Sequence, residues 1–464
     1  MTDLNELKVE VLLDIINSSA RKAIQEYKKS GHGVPGADST TFHPLDLATD
    51  TLALRKAIRL LEGACHQLSA VLAPPQHTVY NFVHDYTWAC TDIAIRARIA
   101  DVLDQHPEGL NVDALADAVN LDKTKTLRVL RVLALKGCFK EVEQEVFANT
   151  RLSLILKSTS NVGCMVRVHK DIPKYGANLY DTMTDQEYAR SHEVDKSPRL
   201  FSLRKEGINS GYWEMDGETR DIFQRGLVGH TEIFGSSAVL HHYPWDTVSS
   251  MVDIGSGIGG ISIPLANMFP HLRITNQDLP GIVEQAQIAW DKDAPGAMRD
   301  GRVEFVPFNF FEESPVVGKD VYYLRNILHD WPDAESTTIL RNIRKVMGPN
   351  SRVLIRDCVL FHTVEEPGVG TTEFSKAPEP MLLNFGAGNH TAYQQDMTMW
   401  LIFNSKERTL NELKIIGQVH SISEYLAMVD LLRFTIHRAN AGLVITRVYD
   451  LVGTMVMEFR IAQD

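Results

Sequence analysis

Cysteine is scarce in this chain of 464 residues: Cys65, Cys90, Cys138, Cys164 and Cys358 are scattered, and none forms a C-x-x-C pair. A sparse, odd count excludes a disulfide scaffold and argues against a structural zinc site. Positive charge is also short. Lys and Arg number 47 against 59 Asp and Glu, a formal net charge of -12. A polyphosphate backbone requires a concentrated basic face, so a nucleic-acid role starts at a disadvantage. No apolar run is long enough for a membrane-spanning helix. Met1 to Ser19 mixes Asp, Glu and Lys with apolar residues and lacks the apolar core of a signal peptide. The expectation is a cytoplasmic protein. What is present is ordinary for a folded chain, 44% apolar and 23% charged, and long enough for two or three domains.

The pattern divides into a helical extension over residues 1–75, a helical region over 76–240 and an α/β region over 241–464. In the second, Ile95, Ile99, Val102 and Leu103 fall on one helical face. Val112, Leu115, Ala116 and Val119 predict a short second helix, and Leu127, Leu130, Leu133 and Ala134 a third that Gly137 closes. A β-rich stretch from Cys138 to Phe147 follows. Helix, short helix, helix and hairpin make a winged helix-turn-helix, which serves either DNA binding or dimerisation. The third helix carries Lys123, Lys125, Arg128 and Arg131, but its surroundings are acidic, which favours dimerisation.

From Ser249 strands alternate with helices: strands at 251–254, 273–277, 303–306, 321–324 and 352–356 predict a parallel sheet covered on both faces. The closely joined strands 444–449 and 454–459 should pair antiparallel. The first strand runs into Gly255-Ser256-Gly257-Ile258-Gly259-Gly260, a G-x-G-x-x-G pattern, and Asp278 lies at the end of the second strand. Glycines let backbone approach a ligand, and the carboxylate binds two ribose hydroxyls. Alone, the motif does not separate a nicotinamide cofactor from S-adenosylmethionine. Two details favour the latter. Asp253 is placed to face an ammonium rather than a pyrophosphate, and no basic group in or beside the loop answers a pyrophosphate. Phe308-Asn309-Phe310-Phe311 follows the third strand, where an adenine would lie between apolar faces.

The fourth strand ends in Arg325-Asn326-Ile327-Leu328-His329-Asp330. Ligands of open α/β sheets bind at such carboxyl ends, which places His329 over the cofactor's reactive end. An aimed imidazole, held in one tautomer, can take a proton from a phenol or alcohol. Asp357, ending the fifth strand, and Glu407 are the carboxylates available to hold it. No metal is expected, because His329-Asp330 lacks further ligands at metal spacing and His241-His242 adjoin each other.

With these segments in their order, Asp253 to Gly260, Asp278-Leu279-Pro280, Arg325 to Asp333 and Asn404-x-Lys406-Glu407-Arg408-Thr409, the chain resembles the class I S-adenosylmethionine-dependent O-methyltransferases. The likeness is to the caffeate and hydroxyindole type in its fungal, basidiomycete form. It implies an α/β protein, a Rossmann-like doubly wound methyltransferase domain over 241–464 behind a winged-helix dimerisation domain over 76–240. It implies His329 as general base, flanked by Asp357 and Glu407. It further implies a cofactor site lined by Asp253, Gly255, Gly257, Asp278, Leu279, Asn309, Phe310 and Arg325. S-adenosyl-L-methionine is the implied cofactor, S-adenosyl-L-homocysteine the product, and a homodimer acting on a small phenolic or polyketide-like molecule the implied assembly, with neither nucleic acid nor membrane as partner. Candidate acceptor-pocket residues are His169, Trp213, Asn326, Asp330, Trp400 and Asn404.

Four departures stand out. Asn309 replaces a more usual Asp, and Asp357 a Glu, one methylene shorter. Arg356-Asp357 is similar to a pair in related pericyclases, which hold the cofactor without transferring methyl. Residues 419–438 are an atypical insertion, read either as an intron retained in frame or as a surface helix with Tyr425, Val429 and Leu432 on one face.

Overall fold

The computed structural model describes residues 4–83, 85–208, 217–364, 376–418 and 442–462. Trp213 and the insertion 419–438 lie outside the described residues. The chain forms two units, Met1–Pro173 with Gly211–Phe234, and Lys174–Ser210 with Gly235–Asp464. Where the sequence suggests one boundary near residue 240, the units interleave. The reason is local: helix Pro198–Lys205 packs on helix His390–Phe403, so the segment from Lys174 belongs with the α/β unit.

In the first unit, helices Leu4–Lys29 and Leu52–Leu72 pack against each other. The winged core follows. Asn111 caps helix Val112–Ala118 by accepting from the Asp113 N–H, and Asp122 caps helix Lys123–Ala134 by accepting from the Lys125 N–H. Strand Val146–Ala148 pairs antiparallel with Leu110–Asn111 and with Lys140–Glu143. The single helix expected through Ile95 and Leu103 is instead two, Thr87–Arg96 and Ile99–Asp104, broken where Arg98 turns left-handed at φ 54°. Ile95, Ile99 and Leu103 remain buried, so the apolar spacing survives the break. The basic third helix is partly neutralised: Lys123 pairs with Asp113 at 2.8 Å and Glu145 at 3.3 Å.

The second unit is built on a seven-stranded sheet: β1 (Ser250–Ile254), β2 (Arg273–Asp278), β3 (Val303–Pro307), β4 (Val321–Arg325), β5 (Arg352–Asp357), β6 (Leu443–Asp450) and β7 (Met455–Ile461). The spatial order is β6-β7-β5-β4-β1-β2-β3, and only β7 runs against its neighbours. Val252, Ile254, Tyr322, Leu324, Val353, Ile355, Met457 and Phe459 form its core. Burial on both faces explains why β1, β4 and β5 read as near-continuous apolar runs, whereas β2 buries Thr275, Asn276 and Gln277 and β3 is partly exposed. Strand order reverses between β4 and β1, and the crevice outside their carboxyl ends is where this architecture binds ligands.

Candidate active site

The loop leaving β1 has three left-handed glycines, Gly255 at φ 68°, Gly257 at 53° and Gly259 at 95°. At two of them a side chain would force a neighbour to move. A Cβ on Gly255 would stand 2.4 Å from Ile327 Cδ1, and one on Gly259 2.5 Å from Trp290 Nε1. At Gly257 a Cβ would meet nothing within 4 Å, because the loop there faces open space. The Asp278 carboxylate pins this loop from the end of β2: Oδ2 accepts the Gly257 N–H at 2.8 Å and Oδ1 the Leu279 N–H at 2.7 Å. A carboxylate has about four acceptor positions, so both oxygens keep capacity for a ligand's hydroxyls. Burial pushes its pKa up, against the pull of those two N–H donors. Leu279 beside it is exposed.

Asp253, at the sheet's centre, is buried, and burial pushes its carboxyl up to about 6, with Arg325 and Ser262 opposing. Arg325 ends β4 facing the loop, its Nη2 3.2 Å from where a Gly260 Cβ would stand. A basic group therefore does lie beside the loop, contrary to the sequence expectation: it arrives from the neighbouring strand rather than from the loop itself. Past β3, Phe310 lies edge-on to Phe311 at 4.7 Å and to Trp331 at 6.1 Å. The Asn309 carbonyl, which the sequence offers to an adenine amino group, already accepts the Phe311 N–H at 3.1 Å. It caps its own turn first. These residues fit S-adenosylmethionine: a side-chain-free cradle at Gly257, a carboxylate beside it and aromatic faces beyond β3.

His329 sits on a single turn, Leu328–Asp330, and is 5% exposed. Its Nδ1 lies 2.6 Å from Glu407 Oε1, and its Nε2 3.5 Å from Asp330 Oδ1. Asp357 adds a third carboxylate whose charge acts on the ring. Burial alone would lower the imidazole's pKa, but the charges of Glu407, Asp330 and Asp357 outweigh it and push it up to about 10. Burial pushes Asp330 up to about 7 and Asp357 up to about 6, with His329 opposing in both. Asp357 Oδ1 and Glu407 Oε2 are buried acceptors with no hydrogen bond.

The sequence expects Asp357 and Glu407 to share the work of orienting the ring. The structure gives the hydrogen bond to Glu407 alone, leaves Asp357 to act through its charge, and brings Asp330, expected on the acceptor side, nearest to Nε2. Asp396, which the sequence reading passed over, accepts the Glu407 backbone N–H at 2.9 Å. Its helix, His390–Phe403, packs on the His329 turn and also carries the half-buried Trp400. Asn404 ends that helix at φ 54° and donates its amide to the Ser191 and Glu193 carbonyls, both at 2.9 Å. That amide holds a loop. Asn326, at φ 56°, accepts from Arg356 Nη1 at 2.7 Å. His169 lies in the other unit, where burial pushes its pKa down to about 4. Among the described residues no group of three or more His, Cys, Asp or Glu side chains is arranged to hold a metal ion, and no helix is long and apolar enough to cross a membrane.

Comparison with known proteins bears on the same segments. Residues 195–375 match the O-methyltransferase domain family, and residues 87–159 the O-methyltransferase dimerisation domain. A curated relative, 3-O-methyltransferase 2 of Phanerochaete chrysosporium, is 36% identical over 413 residues, covering 88% of this chain and 92% of the relative. Among solved structures, mitomycin 7-O-methyltransferase aligns with a TM-score of 0.61 at 22% identity, covering 85% of this chain and all of that one. A structure described as a pericyclic reaction enzyme aligns at 0.63 with 19% identity, covering 90% and 96%. Likenesses this distant in sequence establish the fold.

Proposed function

Because the chain belongs to the S-adenosylmethionine-dependent O-methyltransferase family, we propose that it methylates a phenolic hydroxyl of a small secondary metabolite with His329 as general base. The observation that carries this reading is the 2.6 Å contact between His329 Nδ1 and Glu407 Oε1. A carboxylate on Nδ1 makes Nε2, the atom turned toward Asp330, the nitrogen that accepts a proton once the ring is neutral. With a pKa of about 10 the ring is protonated in the cofactor-free protein, and the sulfonium charge of bound S-adenosylmethionine is what would favour the neutral form. A phenol with a pKa of about 10 is mostly neutral at physiological pH, so deprotonation in step with transfer lowers the barrier. Asp330 and Asp357 stabilise the imidazolium that results.

Asp278 would hold the ribose hydroxyls, the glycine loop the amino-acid end with Asp253 and Arg325, and Asn309 and Phe310 the adenine. When bound, S-adenosylmethionine supplies a methyl group activated on a sulfonium. The protein's share is to hold the acceptor oxygen in line with that carbon and to receive the proton. Trp400 and Asp330 are assigned to the acceptor side. Asn404 is not, since its amide is already engaged. The dimerisation-domain match and the exposed apolar side chains Val79, Tyr80, Phe82, Tyr86 and Trp88 support a homodimer. Light scattering tests it; a species of 52.1 kDa at micromolar concentration overturns it.

The competing reading, a pericyclase, rests on Arg356-Asp357. Arg356 is fully buried and donates to Asn326, and a pericyclic rearrangement offers no proton for the His329–Glu407 pair to take. The experiment is incubation with labelled S-adenosylmethionine and a panel of phenols, scoring label transfer and S-adenosylhomocysteine together. Methylated phenol with equimolar S-adenosylhomocysteine is expected. Turnover of a polyene with neither product establishes the pericyclase.

A further inference from the structure

The residue after Glu407 has a buried charge that touches nothing in the candidate cofactor site. The Arg408 side chain is 2% exposed. Its Nη1 donates to the Leu328 carbonyl at 2.7 Å, and Nη2 to the Trp331 carbonyl at 2.8 Å and to Ser336 Oγ at 3.2 Å. Nε donates to Asp333 Oδ1 at 2.8 Å. Leu328 and Trp331 bracket His329 and Asp330. One guanidinium therefore grips the His329 turn by the carbonyl on each side of it.

The other side of the grip is equally fixed. Arg408–Thr409 is a short strand that pairs in parallel with Val359–Leu360, in register Arg408 to Val359, two residues beyond Asp357. Glu407 enters that strand with its own N–H held by Asp396. The His329 turn is thus held by the guanidinium of Arg408 and Glu407 by its backbone, so the Arg408 side chain sets the spacing between them. A lysine could not replace it, because a single ammonium nitrogen cannot reach carbonyls on both sides of a turn and a carboxylate in one plane.

We propose that Arg408 is a positioning residue for the general base, its guanidinium clamping the His329 turn at hydrogen-bond distance from Glu407. The proposal rests on the reading of His329 as base for its kinetic consequence, but not for its structural one. The geometry is present whether or not the protein methylates phenols.

The test starts in cofactor-free protein, by observing the His329 Nδ1 proton by NMR. A short, charge-assisted bond to a buried carboxylate gives a strongly deshielded, slowly exchanging signal, which Glu407→Gln assigns by removing it. Arg408→Lys keeps the charge and loses the fork. It is expected to abolish the signal and lower kcat by roughly 10²-fold, the cost of a small misplacement, with affinity for S-adenosylhomocysteine unchanged. Asp333→Asn loosens the clamp without removing it and is expected to fall between. A wild-type proton signal in folded Arg408→Lys overturns the proposal. Should that variant not fold, a wild-type signal and kcat in Asp333→Asn overturn it instead. If Arg408→Lys loses the signal while kcat holds, the clamp stands and His329 is not the base.

Discussion

His329 and Glu407, 78 residues apart in sequence, meet with Nδ1 and Oε1 separated by 2.6 Å, and both side chains are shielded from water. In a low-dielectric setting such a pair fixes a tautomer far more firmly than an exposed one. The base, on this reading, is defined by its partner as much as by its own position.

His329→Ala should therefore leave affinity for S-adenosylhomocysteine nearly intact while lowering the single-turnover methylation rate by about 10²–10⁴-fold. The loss should shrink for phenols of lower pKa, which arrive already ionised. Rapid-quench measurement across a phenol series reads both effects. A rate unchanged with an ordinary phenol removes His329 from the mechanism.

The titration of that ring gives a second expectation. Its pKa in the folded protein, about 10, lies above the ordinary 6.5. The contribution of this pairing to stability is thus fully present below pH 6.5 and is lost as pH rises through about 10. Denaturation of wild type and Glu407→Gln should differ most near pH 6 and converge above pH 10. In the cofactor-free protein the imidazole should titrate near 10 by NMR. S-adenosylmethionine, with its sulfonium charge, should lower that midpoint relative to S-adenosylhomocysteine, whose sulfur is neutral. Equal midpoints would mean that the sulfur does not lie near the ring.

Asp278→Ala removes a carboxylate that pins the glycine loop by two N–H groups and is assigned to two ribose hydroxyls. It should weaken S-adenosylhomocysteine binding by about 2–4 kcal/mol, from roughly 1.5–3 kcal/mol per charge-assisted bond with water replacing part. Calorimetry measures it. An unchanged affinity places the cofactor elsewhere.

The strands were legible in the sequence, β1, β4 and β5 by their apolar runs and β2 and β3 by their place in the strand–helix alternation, and each of the seven lies within two residues of its expected limits. The break at Arg98 was not, because Ile95, Ile99 and Leu103 keep helical spacing straight through it. A left-handed residue leaves no trace in periodicity. Within the site, the chain-adjacent elements could be read: the glycine loop, Asp278 and His329 each stand at a strand's carboxyl end. What could not be read depends on segments meeting from afar. Asp330 and Asp357 look interchangeable as carboxylates near His329, and only the turn's path decides which approaches Nε2. Asn404 looks like a pocket residue until the Ser191–Glu193 loop arrives to occupy its amide. Asp396 and Arg408 hold Glu407 and the His329 turn in place; no local pattern marks Asp396, and the segment from Asn404 to Thr409 contains Arg408 without showing what its side chain reaches.

The three left-handed glycines separate folding from binding. Each replacement by alanine carries a backbone cost, roughly 1–2 kcal/mol for the left-handed conformation of Gly255 and Gly257 and more at Gly259, whose φ of 95° lies beyond that region. The remaining differences report what the new methyl meets. In Gly259→Ala it meets Trp290 Nε1 at 2.5 Å, on a fully buried indole that cannot swing away. In Gly255→Ala it meets Ile327 Cδ1 at 2.4 Å, the far end of a side chain that can rotate, and Ile327→Ala in the same chain should recover that part of the loss. In Gly257→Ala it meets nothing, yet it projects into the space assigned to the cofactor. Thermal unfolding should accordingly rank Gly259→Ala as the most destabilised, Gly255→Ala next and Gly257→Ala least. Affinity for S-adenosylhomocysteine, measured on folded protein, should single out Gly257→Ala as lost beyond its small effect on stability. If Gly257→Ala bound as tightly as wild type, the open face of the loop would not be the cofactor's seat.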